Sequence, residues 1–130
     1  MFDNYYTICV QNDSSRSISS QGDGSKRSPE GFLVRPGENA CVSSGPDAGG
    51  IHQEMMSDTG PSWTTWLYIK EGTRERGRPA SSKPFLEICD TGLGYQSSPA
   101  TFDLSCSGNP FSMTVEFKSP QVTITFADQL

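Results

Sequence analysis

One histidine, His52, is all the imidazole in 130 residues, so any Ser-His-Asp or Cys-His arrangement must pass through it. It stands beside Gln53 and Glu54 rather than in a nucleophile elbow, and reads as a surface or capping residue. Paired thiolates are missing too. The nearest two of Cys9, Cys41, Cys89 and Cys106 lie 17 residues apart, whereas zinc sites draw their ligands from close CxxC-type pairs. The chain has no Gly-rich phosphate loop before a helix and no EF-hand-like run of acids. It has no internal repeat, which removes β-trefoils and propellers. No stretch approaches the roughly 20 apolar residues of a membrane-spanning helix. No metal, no cofactor and no membrane insertion are expected.

Positive charge is scarce as well. Ten Lys and Arg face fifteen Asp and Glu, a net charge of -5. A phosphate backbone needs clustered, uncompensated cations, so nucleic acid is not an expected partner. The one basic run, Lys70, Arg74, Arg76 and Arg78, is broken by Glu71 and Glu75 and sits among Gly72, Gly77 and Pro79. It reads as a solvated loop.

What is present points to a small stapled domain spanning 1–130. The hydrophobic fraction is 33%, with 13 Gly and 9 Pro, and mean hydropathy is -0.50. Such a core is thin. Four isolated cysteines on strand-like segments suit two disulfides in a secreted or extracellular protein. Cys89 is expected to pair with Cys106 and Cys9 with Cys41, one of three connectivities that four cysteines allow. The first residues show neither a basic n-region nor an apolar h-region, so they do not read as a secretory signal. Asn12-Asp13-Ser14 is a permitted N-glycosylation sequon in a polar loop.

Periodicity predicts mostly strands. Tyr5 to Val10 alternates, Phe32 to Val34 and Ala40 to Ser43 flank Arg35-Pro36-Gly37, and Pro36-Gly37 suits a type II turn. The polar segment from Gln11 to Glu30 reads as a loop. Asp47 to Ser57 is the best helix candidate, with Asp47 as cap and Ile51 and Met55 four apart on one face. Trp63 to Lys70 is apolar on both sides and is expected to be a central strand, with Trp66 and Tyr68 in the core and Trp63 half in it. Phe85 to Cys89 and Phe102 to Cys106 are further strands. Met113 to Lys118 and Gln121 to Phe126 alternate cleanly, and Ser119-Pro120 between them predicts a wide or bulged connection, because Pro cannot take positive φ. The sum is about seven short strands and at most one or two short helices, with exposed strand edges that make a homodimer plausible.

Binding suits these residues better than catalysis. Glu87, Asp90 and Asp103 approach one another if their strands pair, which keeps a small carboxylate-based glycoside hydrolase as an alternative. Sugars take a flat aromatic platform beside polar groups. Trp63 after Gly60-Pro61-Ser62 and Tyr95 in Gly92-Leu93-Gly94-Tyr95-Gln96 offer that setting, as do Asn4, Tyr5 and Tyr6. Asp90 completes the candidate glycan-binding set.

In length, Gly and Ser content and widely spaced cysteines, the chain resembles small glycan-binding lectins of ink-cap mushrooms. That resemblance implies a single-domain α/β/α sandwich of α+β class around a mainly antiparallel twisted sheet. It also implies recognition of N-acetylhexosamine glycans of the LacdiNAc type, often fucosylated, and a defence role. A second resemblance, carried by Phe32-Leu33-Val34-Arg35-Pro36-Gly37-Glu38-Asn39-Ala40-Cys41, is to small fungal β-sandwich proteins of the aegerolysin type. It implies an all-β sandwich and binding to membrane lipids, although this sequence lacks a comparable run of tryptophans in its second half.

Overall fold

Alternation decides this fold, because successive side chains of a strand point to opposite faces. The computed structural model describes residues 6–45, 48–57, 63–70, 85–96, 99–104, 111–118 and 120–129, with the backbone alone at Trp63 and Thr64. Among the described residues there are eleven strands and no helix. They are β1 (Thr7–Asp13), β2 (Ile18–Gln21), β3 (Phe32–Val34), β4 (Asn39–Ser43), β5 (Gly50–Ser57) and β6 (Trp63–Lys70). The remaining five are β7 (Phe85–Ile88), β8 (Thr91–Tyr95), β9 (Ala100–Leu104), β10 (Phe111–Lys118) and β11 (Gln121–Asp128). The α+β class and the α/β/α sandwich are therefore wrong for this chain, and the all-β alternative is right.

The predicted helix over Asp47 to Ser57 is where the reading failed. Ile51 and Met55 lie four apart, which fits one helical face, but four is also an even number and fits one face of a strand. Ile51, Gln53, Met55 and Ser57 are buried while His52, Glu54 and Met56 between them are only partly so. Gly50 permits the start of the strand. Its φ is 145°, and a Cβ there would lie 2.4 Å from the carbonyl oxygen of Ile69. The segment from Gln11 to Glu30 likewise carries the end of β1 and all of β2 rather than a plain loop.

Five strands form one sheet in the order β4-β1-β11-β10-β9, and six form the other in the order β3-β2-β5-β6-β7-β8. Neighbours pair antiparallel except β1 and β11, which run parallel from Thr7↔Gln121 to Asp13↔Ala127. One core lies between the sheets. Ile8, Val10, Met113, Val115, Phe117, Val122, Ile124 and Phe126 enter it from the first sheet, and Ile18, Val34, Ile51, Met55, Leu67, Ile69, Leu86 and Ile88 from the second. Burying each large aliphatic contributes roughly 1.5–3 kcal/mol. Phe111 and Phe126 meet edge to face, with centroids 5.5 Å apart. Gln53 is one polar intruder, satisfied by the hydroxyl of Ser20, which donates to Oε1 at 2.6 Å, and by the carbonyl of Pro29, which accepts from Nε2 at 2.7 Å.

Turns follow the local chemistry. Gly37 takes φ 84° after Pro36, and the amide of Glu38 donates to the carbonyl of Arg35 at 3.0 Å, which is the expected type II turn. Between β10 and β11 the register closes to Lys118↔Gln121, tighter than the wide or bulged connection expected. Cys9 and Cys41 face each other across β1 and β4 and are disulfide-bonded. Cys89 is disulfide-bonded as well; its expected partner, Cys106, lies outside the described residues.

Candidate ligand-binding face

The outer surfaces of the two sheets differ in kind. On the first sheet the outward residues include Thr7, Gln11, Asn39, Ser43, Thr114, Glu116, Thr123 and Thr125, and among the described residues none there is aromatic. The second sheet is the aromatic one. Leu67 and Ile69 of β6 point inward, so Trp66, Tyr68 and Lys70 point out, and Trp66 is 38% exposed. The expectation that Trp66 and Tyr68 are core residues is thus overturned. β6 is central in its sheet, as expected, but its second apolar side faces solvent.

Cross-strand register assembles the rest. His52 lies opposite Tyr68, Glu54 opposite Trp66, Glu87 opposite Tyr68, and Phe85 opposite Lys70 on one side and Tyr95 on the other. The ring of His52 sits 5.7 Å from Trp66 and 5.5 Å from Tyr68, centroid to centroid. Lys70 Nζ lies 5.2 Å from the Tyr68 centroid and 3.5 Å from Glu87 Oε1. Farther along, Phe85 and Tyr95 meet edge to face at 5.3 Å, with Tyr95 61% exposed.

Beside Trp66 and His52 an open hollow of about 240 Å³ is lined by Gln21 and Glu54 from the sheet and by Gly22, Asp23 and Ser28 from the segment after β2. That segment is built, not slack. The amide of Ser25 donates to Asp23 Oδ1 at 2.9 Å, that of Gly24 to the carbonyl of Ser28 at 2.9 Å, and the Ser28 hydroxyl to the carbonyl of His52 at 3.1 Å. Hydrogen bonds from the side chain and backbone of Ser25 hold the Asp23 carboxyl below its usual range. Burial lowers the pKa of His52, Asp23 opposes that shift and Arg27 adds to it. The pocket therefore presents two carboxylates, a neutral imidazole at neutral pH and an indole.

The expected site residues fare unevenly. Tyr95 is on the face, against Phe85 rather than in a free loop, since residues 91–95 form the edge strand β8. Trp63 is in β6, but its side chain, like Asn4 and Tyr5 entirely, lies outside the described residues. Tyr6 is 1% exposed and belongs to the core, so it is no platform. Its position is set by the pair of bonds in which Tyr6 N donates to Ser44 Oγ at 3.0 Å and Ser44 N to the Tyr6 carbonyl at 2.9 Å. Asp90 occupies the two-residue turn from β7 to β8, at φ 56°, and its side chain is exposed.

Asn12 is not a surface sequon. It is 0% exposed, its Nδ2 donates to the carbonyls of Arg16 at 2.6 Å and Val34 at 2.9 Å, and its Oδ1 accepts from the amide and hydroxyl of Ser14. The amide that would carry a glycan is fully engaged inside the fold. The proposed carboxylate set also comes apart. Glu87 lies on the outer face of the second sheet with Lys70, while Asp103 lies on β9 of the first, accepting from Thr114 Oγ1 at 3.1 Å.

Sequence reasoning missed His52, Glu54, Asp23, Trp66, Tyr68 and Lys70. One signal was available: Lys70 shares strand parity with Trp66 and Tyr68, and a lysine marks the wet side. No protein-family model matches this sequence, and no curated protein is detectably similar to it.

Proposed function

We propose that the protein is a secreted binding module of the aegerolysin type that takes membrane-lipid headgroups on the outer face of its second sheet. The observation that supports this reading is the outward row of Trp66, Tyr68, Phe85 and Tyr95 on an all-β sandwich, Trp66 and Tyr95 exposed and the two between them part-buried, with the carboxylate-lined pocket beside Trp66. Aromatic side chains with an apolar body and a polar tip favour the membrane-water interface. An indole face next to Glu54 and Asp23 suits an organic ammonium group, through cation–π attraction and ion pairing. Lys70 lies farther along the same face, paired with Glu87 at 3.5 Å. Binding is peripheral on this reading, without a spanning element. The disulfide between Cys9 and Cys41 fits an oxidising compartment.

Co-sedimentation with vesicles carrying choline, ethanolamine or glycerol headgroups tests the proposal. Retention on a zwitterionic, ammonium-bearing lipid is expected, and lost on Trp66→Ala. No retention on any of the three rejects it.

A second reading, glycan recognition, keeps one specific observation: the cavity of about 240 Å³ places Gln21, Asp23, Ser28 and Glu54 around an indole, the composition of a sugar subsite. It no longer draws support from the ink-cap lectin resemblance, whose implied α/β/α fold is absent. A glycan array carrying LacdiNAc and fucosylated N-acetylhexosamine structures decides it.

A further inference from the structure

We propose that His52 is a proton-operated gate on the Trp66 pocket: the neutral ring admits a cationic headgroup, and the protonated ring expels it. The inference rests on the lipid-headgroup reading and concerns the regulation of that same site. His52 forms one wall of the pocket and touches both rings of the aromatic row. Its backbone is pinned on both sides, the amide donating to the carbonyl of Arg27 at 2.9 Å and the carbonyl accepting from the Ser28 hydroxyl at 3.1 Å. The backbone thus holds His52 at the pocket wall whatever the charge on its ring.

The charged groups around it have defined roles. Glu54 lies two residues along β5 on the same face, and Asp23 closes the pocket from the segment after β2. On β6, Lys70 pairs with Glu87 of β7 at 3.5 Å, so those two charges offset each other. Arg27 donates from Nε and Nη2 to the carbonyl of Ala48 at 3.0 and 2.9 Å, and Lys26 packs by Gly45. What faces a ligand is Asp23, Glu54 and His52. While His52 is neutral the two carboxylates attract an ammonium group. Protonation places a cation in the wall, repels that group and competes for Asp23.

The sign follows from linkage. Burial already disfavours the charged ring, and a bound cation disfavours it further, so ligand and proton exclude one another. Affinity falls as pH drops through the pKa of His52, by roughly tenfold per pH unit for one coupled proton.

Binding to choline-headed phospholipid vesicles, measured from pH 8 to pH 5, tests this. The expected result is binding at pH 8 that weakens steeply at acid pH, a flat profile for His52→Gln, and a midpoint moved to lower pH in Asp23→Asn. A wild-type profile as strong at pH 5 as at pH 8 overturns the gate and leaves the lipid reading standing. The wild-type slope retained in His52→Gln does the same. Absence of binding at pH 8 overturns both. If His52→Gln fails to fold, the Asp23→Asn midpoint decides, and an unmoved midpoint rejects the gate.

Discussion

The indole of Trp66 stacks on the ring of Tyr68 with centroids 6.0 Å apart and planes 26° from parallel, on the solvent side of β6. Residues two apart on a strand share a face, and here two large rings share a wet one. Part of their apolar area stays in contact with solvent, Trp66 at 38% exposure. It is on this pair that the proposed ligand face is built.

Truncating one ring separates binding from stability. Trp66→Ala is expected to weaken vesicle retention at least tenfold, while costing less stability than truncation of a core side chain, about 1–2 kcal/mol, because the indole is only partly buried. Leu67→Ala, one residue along and 0% exposed, is expected to lose about 2–5 kcal/mol. Urea titration of both variants beside the co-sedimentation assay checks the contrast.

Asn12 is a structural pin. Its side chain joins the segment after β1 to β3, and its main chain binds the β3–β4 turn, with Asn12 N donating to Glu38 O at 3.0 Å and Gly37 N to Asn12 O at 2.7 Å. Asn12→Ala removes a donor from the carbonyls of Arg16 and Val34 and the acceptor of the Ser14 amide, while the Ser14 hydroxyl keeps the Arg16 carbonyl at 3.0 Å, an expected loss of roughly 2–3 kcal/mol. Urea denaturation measures it. Protein secreted from a glycosylating host is expected to show the unmodified mass at this residue.

The disulfide between Cys9 and Cys41 closes a separation of 32 residues, for which loop-closure entropy gives about 3–4 kcal/mol. The Cys9→Ala/Cys41→Ala double variant is expected to lose that much in urea titration. Unchanged stability would mean that β4 is held by its backbone pairing with β1 alone.

Cys89 and Asp90 both take positive φ, 55° and 56°, in the turn that closes Ile88 onto Thr91. Type I′ turns demand this of both central residues, and glycine meets it at least cost. Asp90→Gly is expected to raise stability by about 0.5–1 kcal/mol, read as a higher melting temperature in a thermal scan.

The contrast between β10 and β5 explains how much was legible. In β10, and in β11 as far as Phe126, each inward residue is apolar and each outward one polar, and the strands appeared at nearly their full extent. In β5 the inward Gln53 breaks the pattern, because its amide is satisfied by Ser20 and Pro29, contacts brought from distant parts of the chain. In β6 the outward side is aromatic, so hydrophobicity alone could not say which side was dry. The sequon at Asn12 failed for a related reason: local polarity suggested a loop, and long-range carbonyls made it core. Binding residues were legible as a type, aromatic with polar neighbours. Their grouping depends on register, which joins β5, β6, β7 and β8.

The parallel pairing of β1 with β11 also has a temporal meaning. During synthesis Thr7 emerges long before Gln121, its register partner, so β1 must wait for almost the whole chain before one of its two flanks is covered. Contacts this remote in sequence slow folding. Until then the strand exposes an apolar face and an open edge, the state in which β-proteins aggregate. Fragments stopping short of residue 121 are therefore expected to need chaperone protection however many of β2 to β10 they contain.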